Sequence, residues 1–539
     1  MKLPPFSVFV CLSFFGFLHH DCLAAEDISL EANRHLIVVD SEGLLRNPVI
    51  KRSPATFGNG QKYSIDLPLF KAPNQGQPPG EEQYLDRIID GIRASHKKRV
   101  LIIIHGGMNF VKSAVERGAE LSSLIQAQSP YYPIFVCWDS NPISTYGDNL
   151  LNVRNGESQR QLRGRYYAWL TSPFYLAADL GRAGTAAPAV FSQQAVNDLH
   201  ATAPGIFDDS RAVFARINYA DPKTRNVPLI HPVAGIDVSV GANRKGPLEN
   251  TARAISYWAL LPTRIVTAPI IDALGKSAWE NMNRRISAML RPQTEFLDDP
   301  HQQAEGTGSK MRNGVAVVPN GAYQPPTGGL AVFMQRLDHF YNQEPAGKDI
   351  KTTLIGHSMG AIVINQMLHY CNDNTGEREV ANTRKGHASH LKLRIEHIVY
   401  MAAACTTEDF SYTVLPYLET HKKTDFYNLT LHPLADYREI AMPGDLIPRG
   451  SLLAWIDTFF GNPRTSFNRT YGKFDNAILA TQILPQPVRD RIHIKGFSVG
   501  QMAQPRDPQH HGAFLDAPSA TNGEKQFWNK DQFWTTWTQ

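Results

Sequence analysis

A serine bracketed by glycines, Gly356-His357-Ser358-Met359-Gly360, is the feature of this chain best suited to covalent chemistry. It follows the apolar run Thr352-Thr353-Leu354-Ile355 and precedes a helical pattern, Ala361 to Leu368. A strand that turns sharply into a helix through Gly-x-Ser-x-Gly lifts the serine oxygen above the sheet. It also sets that oxygen at the positive end of the helix, where developing negative charge is stabilised. Ser358 is therefore the candidate nucleophile. Taken alone, so short a pattern turns up by chance in about one chain in six of this length. It recurs here at Gly496-Phe497-Ser498-Val499-Gly500, but Pro505 blocks a following helix, and Ser498 reads as a strand end.

Acyl transfer at a serine needs donors aimed at the carbonyl oxygen that becomes negative. The run Arg99 to Ile104 reads as a strand buried on both faces and ends in His105-Gly106-Gly107-Met108-Asn109. A Gly-Gly turn presents backbone N–H groups with no side chain in the way. Gly107 is the first candidate donor and Met108 the second, with the N–H of Met359 completing an oxyanion hole; His105 reads as a residue that ties down the loop.

The strand ending in His-Gly-Gly, the Gly-His-Ser-Met-Gly turn and a late histidine together resemble the α/β-hydrolase superfamily, particularly its lipase- and esterase-like members. The likeness covers about 96–138 and 330–514. It implies a doubly wound, mostly parallel sheet and triad partners in the order nucleophile, acid, histidine. The acid is then expected in the loop after the strand Asp425 to Leu431. Asp436 ranks first by distance from that strand and Asp445, in Gly444-Asp445-Leu446-Ile447-Pro448, second; Asp409 and Glu439 stay open. The base is expected on the loop after Arg491–Val499, where His511 precedes Gly512 and His510 is the alternative.

With 539 residues the chain is too long for a minimal α/β domain. Its net charge of +4 is spread along the sequence and gives no case for nucleic acid. Gly275-Lys276-Ser277 lacks the leading glycine of a phosphate loop, no metal-ligand spacing stands out near His510-His511, and no cofactor is expected. Residues 1–25 read as a secretory signal peptide: Lys2, an apolar run from Phe6 to Leu18, then Leu23-Ala24-Ala25. That implies a secreted or periplasmic protein. Cys137, Cys371 and Cys405 remain and read as buried small hydrophobes.

Helices are expected at about 83–95, 110–128, 330–342, 360–370 and 451–460. The strands His35–Val39 and Tyr132–Trp138 complete the alternation. The α/β core is thus read as 26–139 and 329–539, interrupted by 140–328. A structureless loop of that length is implausible. Helical patterns at Gln159–Thr171, Ser192–Thr202, Ala252–Leu261 and Ala278–Leu290 make it a largely helical cap. Tyr166, Tyr167, Trp169, Phe174, Tyr175, Tyr257 and Trp258 are candidates for lining an apolar substrate path, or for the packing of the cap itself. The expected function is hydrolysis of a carboxylic ester, small or lipid-like, through an acyl-serine, with transient membrane-surface contact through the cap. An acyltransferase or amidase with the same triad, and a non-catalytic binding protein, are the alternatives.

Overall fold

A computed structural model describes residues 26–52, 63–70, 80–154, 157–158, 162–202, 259–291, 310–312, 315–317, 327–371, 391–440, 446–461, 463–497 and 508–515. The segment read as a signal peptide, together with Ser498, Asp445, Tyr257 and Trp258, lies outside them.

Seven strands form one sheet: β1 (Leu36–Val39), β2 (Arg99–Ile104), β3 (Tyr131–Trp138), β4 (Lys351–His357), β5 (Ile395–Met401), β6 (Asp425–Thr430) and β7 (Ile492–Gly496). Their spatial order is β7-β6-β5-β4-β2-β3-β1, and every adjacent pair is parallel. The apolar runs explain this arrangement. Parallel strands covered on both faces carry continuous rather than alternating hydrophobic side chains, and β3 is buried at every position.

Two helices show that both faces are covered. In α1 (Gly80–Ser95), a Cβ added at Gly91 would run into the Tyr132 ring; in α2 (Val111–Gln128), one added at Gly118 would lie 3.1 Å from Cβ of Phe135. Tyr132 and Phe135 are three apart on β3 and so point to opposite faces. A small antiparallel sheet, Glu26–Asp27, Val49–Arg52 and Tyr63–Asp66, lies apart from the seven strands.

After β2 the chain crosses toward β3, whereas after β4 it proceeds through α7 (Gly360–His369) toward β5. The direction of winding reverses between β2 and β4. In open parallel sheets the crevice at the carboxyl ends of two such strands is where ligands bind, and these two ends carry the His-Gly-Gly turn and Ser358.

The interval 140–328 contains three described helices, α3 (Pro142–Leu151), α4 (Leu162–Thr202) and α5 (Leu261–Met289), with α6 (Gly329–Gln343) returning the chain to the sheet. Two patterns expected as separate helices are joined in α4, which runs through Pro173 and Pro188. Gly275 sits inside α5 against the Phe460 ring, not in a phosphate loop. Buried Arg285 of α5 donates to the Asp139 carbonyl at 2.7 Å and pairs with Asp148 at 2.5 Å, and Asn281 donates to the Thr145 carbonyl at 2.7 Å. Removing one partner of such a buried pair is costly; α5 is thereby pinned to α3 beside the sheet. Cys137, Cys371 and Cys405 are buried and form no disulfide.

Candidate active site

Ser358 occupies the turn between β4 and α7 with φ of +52°. A side chain in this left-handed region costs about 1–2 kcal/mol, so other contacts must hold it. Its N–H donates to the Met401 carbonyl at 2.9 Å, and its carbonyl accepts from Ala404 at 3.0 Å and Ala361 at 3.1 Å. The flanking glycines are a steric requirement. A Cβ on Gly356 would lie 2.8 Å from the Ala361 nitrogen, and one on Gly360 would lie 2.3 Å from the Ile104 carbonyl oxygen. Ser358 is fully buried, and its Oγ has no hydrogen-bond partner among the described residues.

Opposite it lies the turn after β2. A Cβ on Gly106 would stand 2.5 Å from Cβ of Ser358, so only glycine lets the two turns meet this closely. The turn is braced through its carbonyls. Gly106 O accepts from His105 Nδ1 at 2.7 Å, Ser140 Oγ at 3.0 Å and Asn109 Nδ2 at 3.3 Å, and Gly107 O accepts from Asn109 Nδ2 at 3.2 Å. His105 ties the loop down as expected: its Nε2 accepts the Trp138 N–H at 3.0 Å. Burial pushes its imidazole down to about 4, so it is neutral at pH 7.

Among the described residues, no hydrogen bond takes up the N–H of Gly107 or of Met359. Met108, the second expected donor, requires a correction. Its N–H is spent on the Ser140 carbonyl at 2.9 Å and its side chain is exposed. Ser140 comes from the end of β3, 34 positions from Gly106, and nothing local in the sequence pointed to it.

His511 begins a short 3-10 turn, His511–Phe514, and is buried beside Ser358's neighbour His357. His357 Nε2 lies 2.8 Å from the His511 carbonyl, which can only accept, so His357 donates from Nε2. The two rings are 5.0 Å apart. Burial holds His357 down at about 4. The His511 backbone N–H donates to Glu439 Oε2 at 2.8 Å. Both backbone groups of His511 are therefore anchored, while neither ring nitrogen has a hydrogen-bond partner among the described residues. Burial, then the neighbouring His357 and His510, keeps the His511 imidazole well below its ordinary value.

Asp436 lies in the short helix α9 (Pro433–Arg438, with α8 spanning Thr407–Thr420) and is fully buried. Its Oδ1 accepts from Ser451 Oγ at 2.6 Å; its Oδ2 has no hydrogen-bond partner among the described residues. The ring contact expected between Asp436 and His511 is not made: the carboxylate on His511 is that of Glu439, through the backbone. Burial pushes Asp436 up to about 7, with Lys473 opposing, and Glu439 up to about 8. Asp409 is no acid candidate, since it closes a capping box with Thr406 at the start of α8.

Helix α5 reaches this site through Met282, whose sulfur would lie 3.8 Å from a Cβ on Gly107. Among the described residues, the aromatic side chains expected to line a path or pack this interval do neither. Tyr166, Tyr167, Trp169 and Phe174 are exposed on α4, and Tyr175 lies under the Arg154 guanidinium, 4.1 Å from ring centroid to Cζ. What the arrangement offers is a strained, buried serine against the Gly106 turn and a backbone-anchored histidine beside His357; the Ser358–His511 hydrogen bond expected of a nucleophile and its base is not made.

No protein-family profile, curated protein or solved structure matches the chain.

Proposed function

We propose that the chain is a serine hydrolase of the α/β-hydrolase type that cleaves carboxylic esters through an acyl-Ser358 intermediate. The observation that carries this reading is the left-handed Ser358, whose Oγ is buried and unpartnered and whose Cβ packs against Gly106 across the switch point of the sheet.

In the proposed cycle His511 takes the Oγ proton as Oγ bonds to the ester carbonyl carbon. The carbonyl oxygen becomes negative and is held by the N–H groups of Gly107 and Met359. As the carbonyl re-forms, the C–O bond to the alcohol breaks and His511 returns the proton to the leaving oxygen. Water, deprotonated by His511, then attacks the acyl-enzyme and releases the carboxylic acid and free Ser358. Asp436, buried with one open oxygen, is the proposed carboxylate for the imidazolium. Glu439 and His357 hold the loop that carries the base.

Incubating the purified chain with p-nitrophenyl esters, from acetyl to long-chain, and measuring intact mass tests the reading. A mass increase equal to the acyl group, absent from Ser358→Ala, is expected together with phenol release. An acylated but non-hydrolysing protein would move the assignment to acyl transfer; neither adduct nor turnover on any ester would remove it.

A further inference from the structure

Among the described side chains of helix α4, Ala168, Asp179, Ala183, Val190 and Gln194 are buried and form one stripe toward the protein interior. Asp179 is held by the hydroxyls of Tyr146 and Ser277, each at 3.0 Å. At 3.6 residues per turn the opposite side carries Tyr166, Tyr167, Leu170 and Phe174, with Trp169 and Leu180 on its flank. All six are exposed, Tyr166 to 68% and Phe174 to 75%. Six large apolar side chains exposed on one helix, with the Tyr166 and Trp169 rings 6.1 Å apart, are the kind of surface that marks an interaction site.

The charge pattern identifies the partner. From Gly164 to Ser192 the exposed charged side chains are Arg165 and Arg182, and the only acid is the buried Asp179. Helical geometry puts the two arginines on opposite borders of the apolar stripe; Arg182 lies 3.4 Å from Asp179 with its side chain 41% exposed. Aromatic rings bordered by arginine, with no exposed carboxylate, match the chemistry of a bilayer interface containing anionic headgroups. Among the described residues no helix is long and apolar enough to cross a membrane, so the match is to lying on the surface.

We propose that the outer face of α4 docks the protein on an anionic phospholipid surface. Its rings enter the boundary between headgroups and acyl chains, and Arg165 and Arg182 meet the phosphates. This docking requires no chemistry at Ser358 and can be read in an inactive protein.

The test is co-sedimentation of the full chain, as Ser358→Ala, with phosphatidylcholine vesicles lacking or containing phosphatidylglycerol. Binding should favour the anionic vesicles. The triple variant Tyr166→Ser, Trp169→Ser, Phe174→Ser should lower partitioning at least about tenfold. Arg165→Gln with Arg182→Gln should remove the preference for phosphatidylglycerol while leaving the aromatic face intact. No sedimentation with either vesicle, or unchanged binding by both variants, overturns the proposal. So does a lipid-free dimer, seen by sedimentation velocity, that the triple variant dissociates, since the face would then be a contact between copies.

Discussion

The carbonyl of His511 sits 2.8 Å from Nε2 of His357, so the residue next to the candidate nucleophile holds the backbone of the candidate base. The backbone of His511 is thereby tied to the residue next to Ser358. Holding a base in reach of its proton is what general-base catalysis demands.

His357→Ala should therefore lower kcat with little change in KM. A buried carbonyl left without its donor costs about 1–3 kcal/mol, or about 10–100-fold if the loss falls on the transition state. His357→Gln, which keeps a side-chain N–H donor, should recover part of it. Steady-state kinetics decide this. A pure KM effect, or no rescue by glutamine, would mean that the contact serves only folding.

Asp436→Asn should reduce kcat by about 10⁴-fold while the protein remains folded. Glu439→Gln should be mild, because glutamine retains an oxygen for the His511 N–H. The opposite ranking would transfer the acid role to Glu439. Two mild results would leave Asp445, next in sequence beyond the described residues.

Asp436 and Glu439 also tie stability to pH. Burial raises both in the folded chain, to about 7 and about 8, from ordinary values of 3.8 and 4.5. The folded state thus keeps protons that the unfolded state has already lost, and stability falls as pH rises toward those folded values. The buried histidines work in the opposite sense. Their folded values lie below 6.5, so they cost stability only in acid, where the unfolded chain protonates them. The carboxylate effect is cleanest between about pH 6.5 and pH 8. Thermal midpoints should fall across that window, and less steeply in Asp436→Asn and Glu439→Gln. A midpoint that rises there would contradict the burial of these carboxylates.

Gly360→Ala should destabilise the protein by about 1–3 kcal/mol, since the added carbon meets the Ile104 carbonyl, a backbone atom that cannot turn aside. Gly147→Ala is the control. Nothing lies within 4 Å of its added carbon, and helix α3 should gain about 0.5–1 kcal/mol. Urea denaturation of the two variants should move in opposite directions; equal midpoints would refute the close approach of α7 to β2.

All seven sheet strands were legible: the central ones because parallel strands buried on both faces carry long apolar runs, and β7, at the edge, through the alternation Ile492-His493-Ile494-Lys495. Residues 99–104 and 131–138 show this most plainly. Helices were read less evenly. The patterns at 159–171 and 192–202 were read apart because the stretch between them contains Pro173 and Pro188, through which α4 continues, and α8 was not expected although Thr406 and Asp409 form a capping box at its start. At the candidate site, Ser358 and the glycines announced themselves because their turn chemistry is local. Ser140 and His357 did not, since their partners Gly106 and His511 are 34 and 154 positions away. Met108 was misread for the same reason: only the fold brings Ser140 to its N–H. The aromatic residues of α4 were read as lining a path or packing the interval, and neither reading had them exposed, because aromatic side chains in a sequence carry no sign of which side of a helix faces solvent.

The central claim is that Ser358 is an activated nucleophile, and it is tested most directly by labelling with a fluorophosphonate followed by peptide mapping. The account predicts one modified residue, Ser358, with labelling lost in Ser358→Ala and strongly slowed in His511→Ala. Labelling that persists in Ser358→Ala, or that maps to Ser498, would contradict it.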